Sequence, residues 1–154
     1  MSSQTSRPNY AAFARLMPQD AASLNALGAD AHAKLDAALI ELLEVRASQI
    51  NGCAFCIQYH LSLARKAGLQ AAKIDLLAAW REAGDIYTPA ERAALAWTEH
   101  LTDISRQGAP DPAWQALQEH FSDEQIVSLC VVIASINAWN RIAIALAFQP
   151  MGAK

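Results

Sequence analysis

The sequence predicts an all-α fold, a bundle of about six to seven helices, on three observations. Ala supplies 33 of the 154 residues while Val and Thr together supply only 8. Strong helix formers therefore dominate, and β-branched residues other than Ile are scarce. Apolar residues recur at helical spacing, as in Leu35, Leu39, Leu42 and Leu43, with polar residues between them. Gly, Pro and capping-box sequences then cut the chain into helix-length pieces. A chain of this length is expected to form one domain, residues 1–154, and a hydrophobic content of 53% suffices for a sizeable core.

Residues 1–10 have no apolar core, so they do not read as a secretory signal and are expected to fray. Pro18-Gln19-Asp20 opens the first helix, to about His32. The second covers Leu35 to Asn51 and is broken by Gly52. Ala54 to Ala67 follows, closed by Gly68 as an αL cap with Lys66 in its last turn. Gln70 to Ala83 runs to a stop at Gly84. Thr88-Pro89-Ala90-Glu91 is a capping box with Pro at the first helical position, opening a helix to about Ser105. Asp111-Pro112 starts a short helix to about Phe121. Ser122-Asp123-Glu124-Gln125 is a second capping box and opens the long last helix. Trp80, Trp97, Trp114 and Trp139 each fall on a predicted helix, as core or subunit-contact residues.

Charge excludes several functions. Lys plus Arg is 12 and Asp plus Glu is 15, a formal charge of −3. That leaves no basic footprint for nucleic acid and no polybasic patch for a membrane. Ile126 to Phe148 is long enough to span a bilayer, but Asn137, Asn140 and Arg141 sit together inside it. An unpaired charge at that depth is costly. The segment reads as a soluble helix buried on most sides, in the core or between subunits, so a homo-oligomer is expected. Three Cys without a secretion signal argue against a disulfide scaffold and for a reducing cytoplasm.

The informative stretch runs from Glu41 to His60 and contains Cys53-Ala-Phe-Cys56-Ile-Gln-Tyr-His60. Gly52 ends one helix, and the Cys pair falls at the start of the next. Free backbone N–H groups and the positive end of the helix dipole favour a thiolate there. A helical turn brings both sulfurs to one side, close enough to bond. His60 follows Cys56 by four residues and shares its face, where it can relay a proton. Glu41 and Glu44 share a face of the preceding helix. If the two helices pack antiparallel, a Glu there reaches His60, giving nucleophile, base and orienter.

Each element also has a duller reading. His60 alone reads as a satisfied histidine, and Glu41 and Glu44 alone as a solvated face or as partners of Arg46 or Arg65. Cys130 reads as an inert core thiol; His32, His100 and His120 have no visible companions. Ile57 follows the second Cys where a c-type haem needs His, so that cofactor is excluded. The six Gly are scattered, without a Rossmann or P-loop fingerprint, and no cofactor is called for. Zinc competes: Cys53, Cys56 and His60 offer three ligands, with Glu41 or a distant His as the fourth.

On these residues the sequence resembles the alkylhydroperoxidase AhpD / carboxymuconolactone decarboxylase-like family. The pattern Glu41-x11-Cys53-x-x-Cys56-x3-His60 is the family's core, and the resemblance is densest from Glu41 to Gly68. Ser48-Gln-Ile-Asn-Gly-Cys53, Ala64-Arg-Lys-Ala-Gly68 and Ile136-Asn-Ala-Trp-Asn-Arg141 are similar too. The resemblance implies an all-helical, AhpD-like fold assembled as a trimer or hexamer. It implies reduction of a hydroperoxide substrate by a thiol or dithiol, supplied by a lipoylated or thioredoxin-like protein or another reductant. Cys56 would be the peroxidatic thiol and Cys53 the proton-donating, disulfide-forming one. His60 and Glu41 would relay the proton, and the family's spacing selects Glu41 over Glu44. Well-studied hydroperoxidases carry a His immediately before the second Cys, where this chain has Phe55. Decarboxylases of the family lack the Cys pair, which speaks against a lactone decarboxylase. The alternatives are a general thiol-disulfide oxidoreductase or redox sensor using the same pair, and a non-catalytic helical protein with a Cys/His metal site.

Overall fold

The computed structural model describes residues 7–152. Among the described residues the fold is all-helical, with ten α-helices and no strand. In chain order these are α1 (Tyr10–Leu16), α2 (Pro18–Ala26), α3 (Ala29–His32), α4 (Ala37–Asn51) and α5 (Ala54–Lys66). Then come α6 (Ala71–Asp75), α7 (Pro89–Thr102), α8 (Ile104–Gln107), α9 (Asp111–Gln118) and α10 (Asp123–Ala145). Two 3₁₀ turns, Leu77–Glu82 and Gly84–Ile86, join α6 to α7.

Helix α4 is the hub, packed against α5, α7 and α10. Every residue from Ile40 to Val45 is buried. A helix enclosed on all sides has no solvent face for its polar residues, so Glu41 and Glu44 are carried into the interior. Leu42, Leu43, Leu95, Ile126 and Leu129 form the main apolar cluster with Trp80 and Trp97. A second, smaller cluster surrounds the cysteine pair and contains Ala47, Ile136, Ala143 and Phe148.

Both capping boxes form. Thr88 and Ser122 each accept from the backbone three residues on, and Glu91 and Gln125 reach back. Gly68 takes φ +81° after α5, as its place predicts. The element count is higher than expected, for local reasons. The expected helix to His32 is two, because Leu27 is extended and Gly28 turns at φ +93°. The expected Gln70–Ala83 helix lapses after Asp75, and Ala79 leaves helical dihedrals. Arg92 takes up the carbonyls freed at Trp80 and Arg81, at 3.0 and 2.9 Å. The helix from Pro89 stops at Thr102 and is followed by short α8. Residues 7–10 do not fray: Asn9 caps α1 through its side chain, accepting from Ala12 N–H at 2.9 Å. Residues 1–6 lie outside the described residues.

Helix α10 is long and apolar enough to cross a membrane by length and composition, yet it is a core helix here. Ten of its residues are buried, and its two buried asparagines are paired across helices. Asn51 Nδ2 donates to Oδ1 of Asn137 at 3.0 Å and of Asn140 at 2.8 Å. Asn140 Nδ2 donates to Ser48 Oγ at 3.0 Å, and Asn137 Nδ2 to Thr102 Oγ1 at 3.2 Å. Buried amides are tolerated when so satisfied, and these fix α10 against α4 beside the cysteine pair.

Candidate functional site

The site begins with a turn only two residues long, Gly52 and Cys53. Gly52 takes φ +73°, a left-handed conformation that glycine adopts without a Cβ clash. Its N–H donates to the Gln49 carbonyl at 3.2 Å, and the Cys53 N–H donates to the Ser48 carbonyl at 3.0 Å. This pair of bonds closes the carbonyl end of α4. Cys53 then serves as the N-cap of α5, its sulfur accepting the Cys56 N–H at 3.3 Å. One residue thus ends one helix and starts the next, and the two helices fold back as neighbours.

Cys53 and Cys56 are both buried and are joined by a disulfide. Cys56 lies in the first turn of α5, where the positive end of the helix dipole favours negative charge on sulfur when the pair is reduced. One turn further, His60 meets both acidic residues of α4. Its Nδ1 stands 2.9 Å from Glu41 Oε2 and 3.1 Å from Glu44 Oε2. Burial pushes the His60 pKa down, but the Glu41 and Glu44 carboxylates outweigh it and raise it from 6.5 to about 9. At neutral pH the ring is an imidazolium shared by two carboxylates. Arg46 does not compete, because Glu99 holds it at 2.7 Å.

A cavity of about 330 Å³ opens beside the pair. Cys56 and His60 line it together with Tyr10, Phe55, Tyr59 and Trp139. Phe55 is stacked on Tyr59 at 6.5 Å and meets the edge of Phe148 at 5.4 Å. Phe148 is brought in by a left-handed turn at Ala147, φ +54°. The cavity therefore offers one cysteine sulfur and one imidazole beside four aromatic rings, with Asn25, Gln58 and Met151 also in its wall.

The four residues singled out by sequence, Glu41, Cys53, Cys56 and His60, converge here. Glu44 also reaches the imidazole, and nothing in helical periodicity distinguished it from Glu41. Trp139 stands in the cavity wall. Tyr10 lies in the segment expected to fray, so its place there had no sequence signal. Glu41, Glu44 and His60 present ligand atoms within 4.8 Å of one another. That oxygen and nitrogen set differs from the Cys53, Cys56 and His60 set weighed for zinc, whose sulfurs here are bonded to each other.

Residues 18–100 match the carboxymuconolactone decarboxylase family. The uncharacterized protein YdfG of Bacillus subtilis (strain 168) is 48% identical over 106 residues, 69% of this chain and 71% of that one. A crystal structure from Agrobacterium tumefaciens superposes with a TM-score of 0.87 at 39% identity, covering 96% of this chain and 99% of that one. That protein is of unknown function and has been suggested to be the antioxidant defence protein AhpD. The debrominase Bmp8 shares the fold at 21% identity, TM-score 0.79, over 90% of this chain and 74% of its own.

Proposed function

The chain belongs to the carboxymuconolactone decarboxylase family, and from that membership and the geometry of its cysteine pair we propose that it is a thiol-dependent hydroperoxide reductase. One observation carries the reading: Cys56, paired with Cys53, lines the same cavity as the protonated His60. Cys53 is not among the residues lining the cavity. Cys56 is therefore the sulfur that an entering oxidant meets, and Cys53 the one behind it.

The chemistry balances with these groups. The Cys56 thiolate attacks the distal oxygen of ROOH; the O–O bond breaks, giving Cys56 sulfenic acid and an alkoxide. His60 gives the alkoxide a proton, releasing ROH, and regains it from solvent. The Cys53 thiol displaces hydroxide from the sulfenic acid, and water leaves with the thiol's proton as the disulfide forms. An external dithiol then reduces that disulfide through a mixed disulfide and is itself oxidised. A lipoylated or thioredoxin-like protein has the required dithiol.

The cavity supports an organic hydroperoxide in preference to hydrogen peroxide. Its volume is about 330 Å³, against about 30 Å³ for one water molecule, and Tyr10, Phe55, Tyr59 and Trp139 make much of its wall apolar. Apolar surface there stabilises a hydrocarbon group. A homo-oligomer, trimer or hexamer, is the proposed assembly, supported by Val127 and Ile144, which stay 57% and 45% exposed on apolar α10.

The test is a free-thiol count with intact mass on the reduced protein, before and after one equivalent of an organic hydroperoxide. Loss of two thiols and two mass units, reversed by dithiol and absent in Cys56→Ser, is expected. No reaction with any hydroperoxide, together with rapid exchange with disulfides, would overturn the reading in favour of a general thiol-disulfide oxidoreductase.

A further inference from the structure

Resting on the peroxidase reading, we propose that Glu44 is a second positioning residue of the site, acting with Glu41 to hold His60 as the imidazolium that protonates the leaving alkoxide. The family spacing selected Glu41 alone; the folded chain puts both carboxylates on one nitrogen. Glu41 Oε2 and Glu44 Oε2 approach Nδ1 at 2.9 and 3.1 Å. Both carboxylates are buried, at 9% and 5% exposure. Buried carboxylates need a positive partner, and among the described residues His60 is the only cation paired with either. Arg46, two residues after Glu44, is held by Glu99 instead. Two negative charges thus converge on a ring that can supply one positive charge, and neither carboxylate has another source.

The arrangement also determines which nitrogen donates. Nδ1–H faces the carboxylates, so the proton available to the alkoxide is the one on Nε2. After transfer the neutral ring keeps its Nδ1–H on Glu41, with the Glu44 carboxylate beside it at 3.1 Å. Its orientation is therefore unchanged when Nε2 takes up a proton again. With one carboxylate the ring would be less strongly held in either respect.

Other groups near His60 do not supply this charge. On its own helix the neighbours are Cys56, one turn earlier, and Tyr59, whose ring it meets edge-on at 5.1 Å. The charged residues of α10 are Asp123, Glu124 and Arg141, but the residues it contributes to the cavity are Trp139 and Ala143. From α1 the cavity receives Tyr10. The carboxylates of α4 are the anions in contact.

The test is a ring titration of His60 by NMR, assigned with His60→Gln, in wild type, Glu44→Gln and Glu44→Asp. It is done on the disulfide form, in which neither Cys53 nor Cys56 ionises. Wild-type His60 is expected to stay protonated through neutral pH. Glu44→Gln should weaken its proton affinity at least tenfold, one pH unit, and Glu44→Asp should restore part of the loss. The alkaline limb of kcat/KM for an organic hydroperoxide should move down with it. A wild-type midpoint at or below the ordinary 6.5, or an unchanged midpoint in folded Glu44→Gln, overturns the proposal. If Glu44→Gln does not fold, Glu44→Asp carries the comparison, and a midpoint equal to wild type in that variant overturns the proposal. A wild-type protein that consumes no hydroperoxide, while the midpoint shifts as stated, removes the peroxidase reading and the donor role with it, and leaves only the charge coupling.

Discussion

The sulfur of Cys53 accepts the backbone N–H of Cys56 at 3.3 Å, while the backbone N–H of Cys53 closes the preceding helix through Ser48 at 3.0 Å. Cys53, the resolving cysteine of the proposed reaction, is thus held at both ends of its own residue with its sulfur beside Cys56. Rapid capture of a sulfenic acid requires that closeness. Cys56→Ser should abolish hydroperoxide consumption. Cys53→Ser should still react once and then accumulate sulfenic and sulfinic acid, visible as mass gains of oxygen. Unchanged turnover in Cys56→Ser would refute the assignment.

Phe55, Tyr59 and Phe148 form one aromatic run at the cavity, with centroid separations of 6.5 and 5.4 Å. Such pairs are worth about 1 kcal/mol beyond their burial. Phe55→Ala should lower kcat/KM for an aryl-substituted hydroperoxide by about tenfold, the rate equivalent of ~1.4 kcal/mol. Reaction with hydrogen peroxide should be nearly unaffected. Equal losses for both oxidants would mean that Phe55 supports the cysteine turn and not the substrate.

The His60 pKa, about 9 in the fold against 6.5 unfolded, makes stability depend on pH. A raised folded pKa contributes its stability in full below 6.5, where His60 is protonated in both the folded and the unfolded chain. That contribution disappears as pH rises through about 9. The amount is on the order of 3 kcal/mol. Wild-type Tm should therefore decline between pH 6.5 and 9, and His60→Gln should flatten this decline. An equal decline in the variant would place the effect elsewhere.

Glu99 joins three elements. It accepts from Arg46 at 2.7 Å and from Trp80 Nε1 at 2.8 Å, and it pairs with Arg81. Burial opposes its charge, but these donors hold its pKa below the ordinary carboxylate value. Glu99→Gln leaves Arg46 without its counter-charge in a mostly buried setting. Loss of one partner of such a pair costs about 3 to 5 kcal/mol, so Tm by calorimetry should fall by roughly 10 °C.

Ala147 takes φ +54° just past α10, a conformation costing a non-glycine residue about 1 to 2 kcal/mol. Its turn delivers Phe148 to the cluster around the cysteines. Ala147→Gly should relieve that strain and raise stability by a net ~0.5 to 1 kcal/mol after the added chain entropy. A lower Tm would show that the Ala147 methyl group matters more than the dihedral.

The helical class, the two capping boxes, the Gly52 break and the cysteine turn were legible in the sequence. Each depends on a residue and its neighbours within four positions, the range over which helix propensity, capping and dipole effects act. The convergence of Cys53, Cys56, His60 and Glu41 was legible as well, because one short turn joins the two helices that carry them. Less was legible where two distant segments meet. Gln70 to Ala83 has helical composition, yet Arg92 from α7 stabilises a broken course. Tyr10 and Trp139 are 129 positions apart, and their rings lie 6.2 Å apart at one cavity. Glu41 and Glu44 are equivalent by periodicity. Only the packing of α5 against an α4 buried on every side carries both onto His60, since charge in a low-dielectric interior is settled by whichever partner the fold brings within reach.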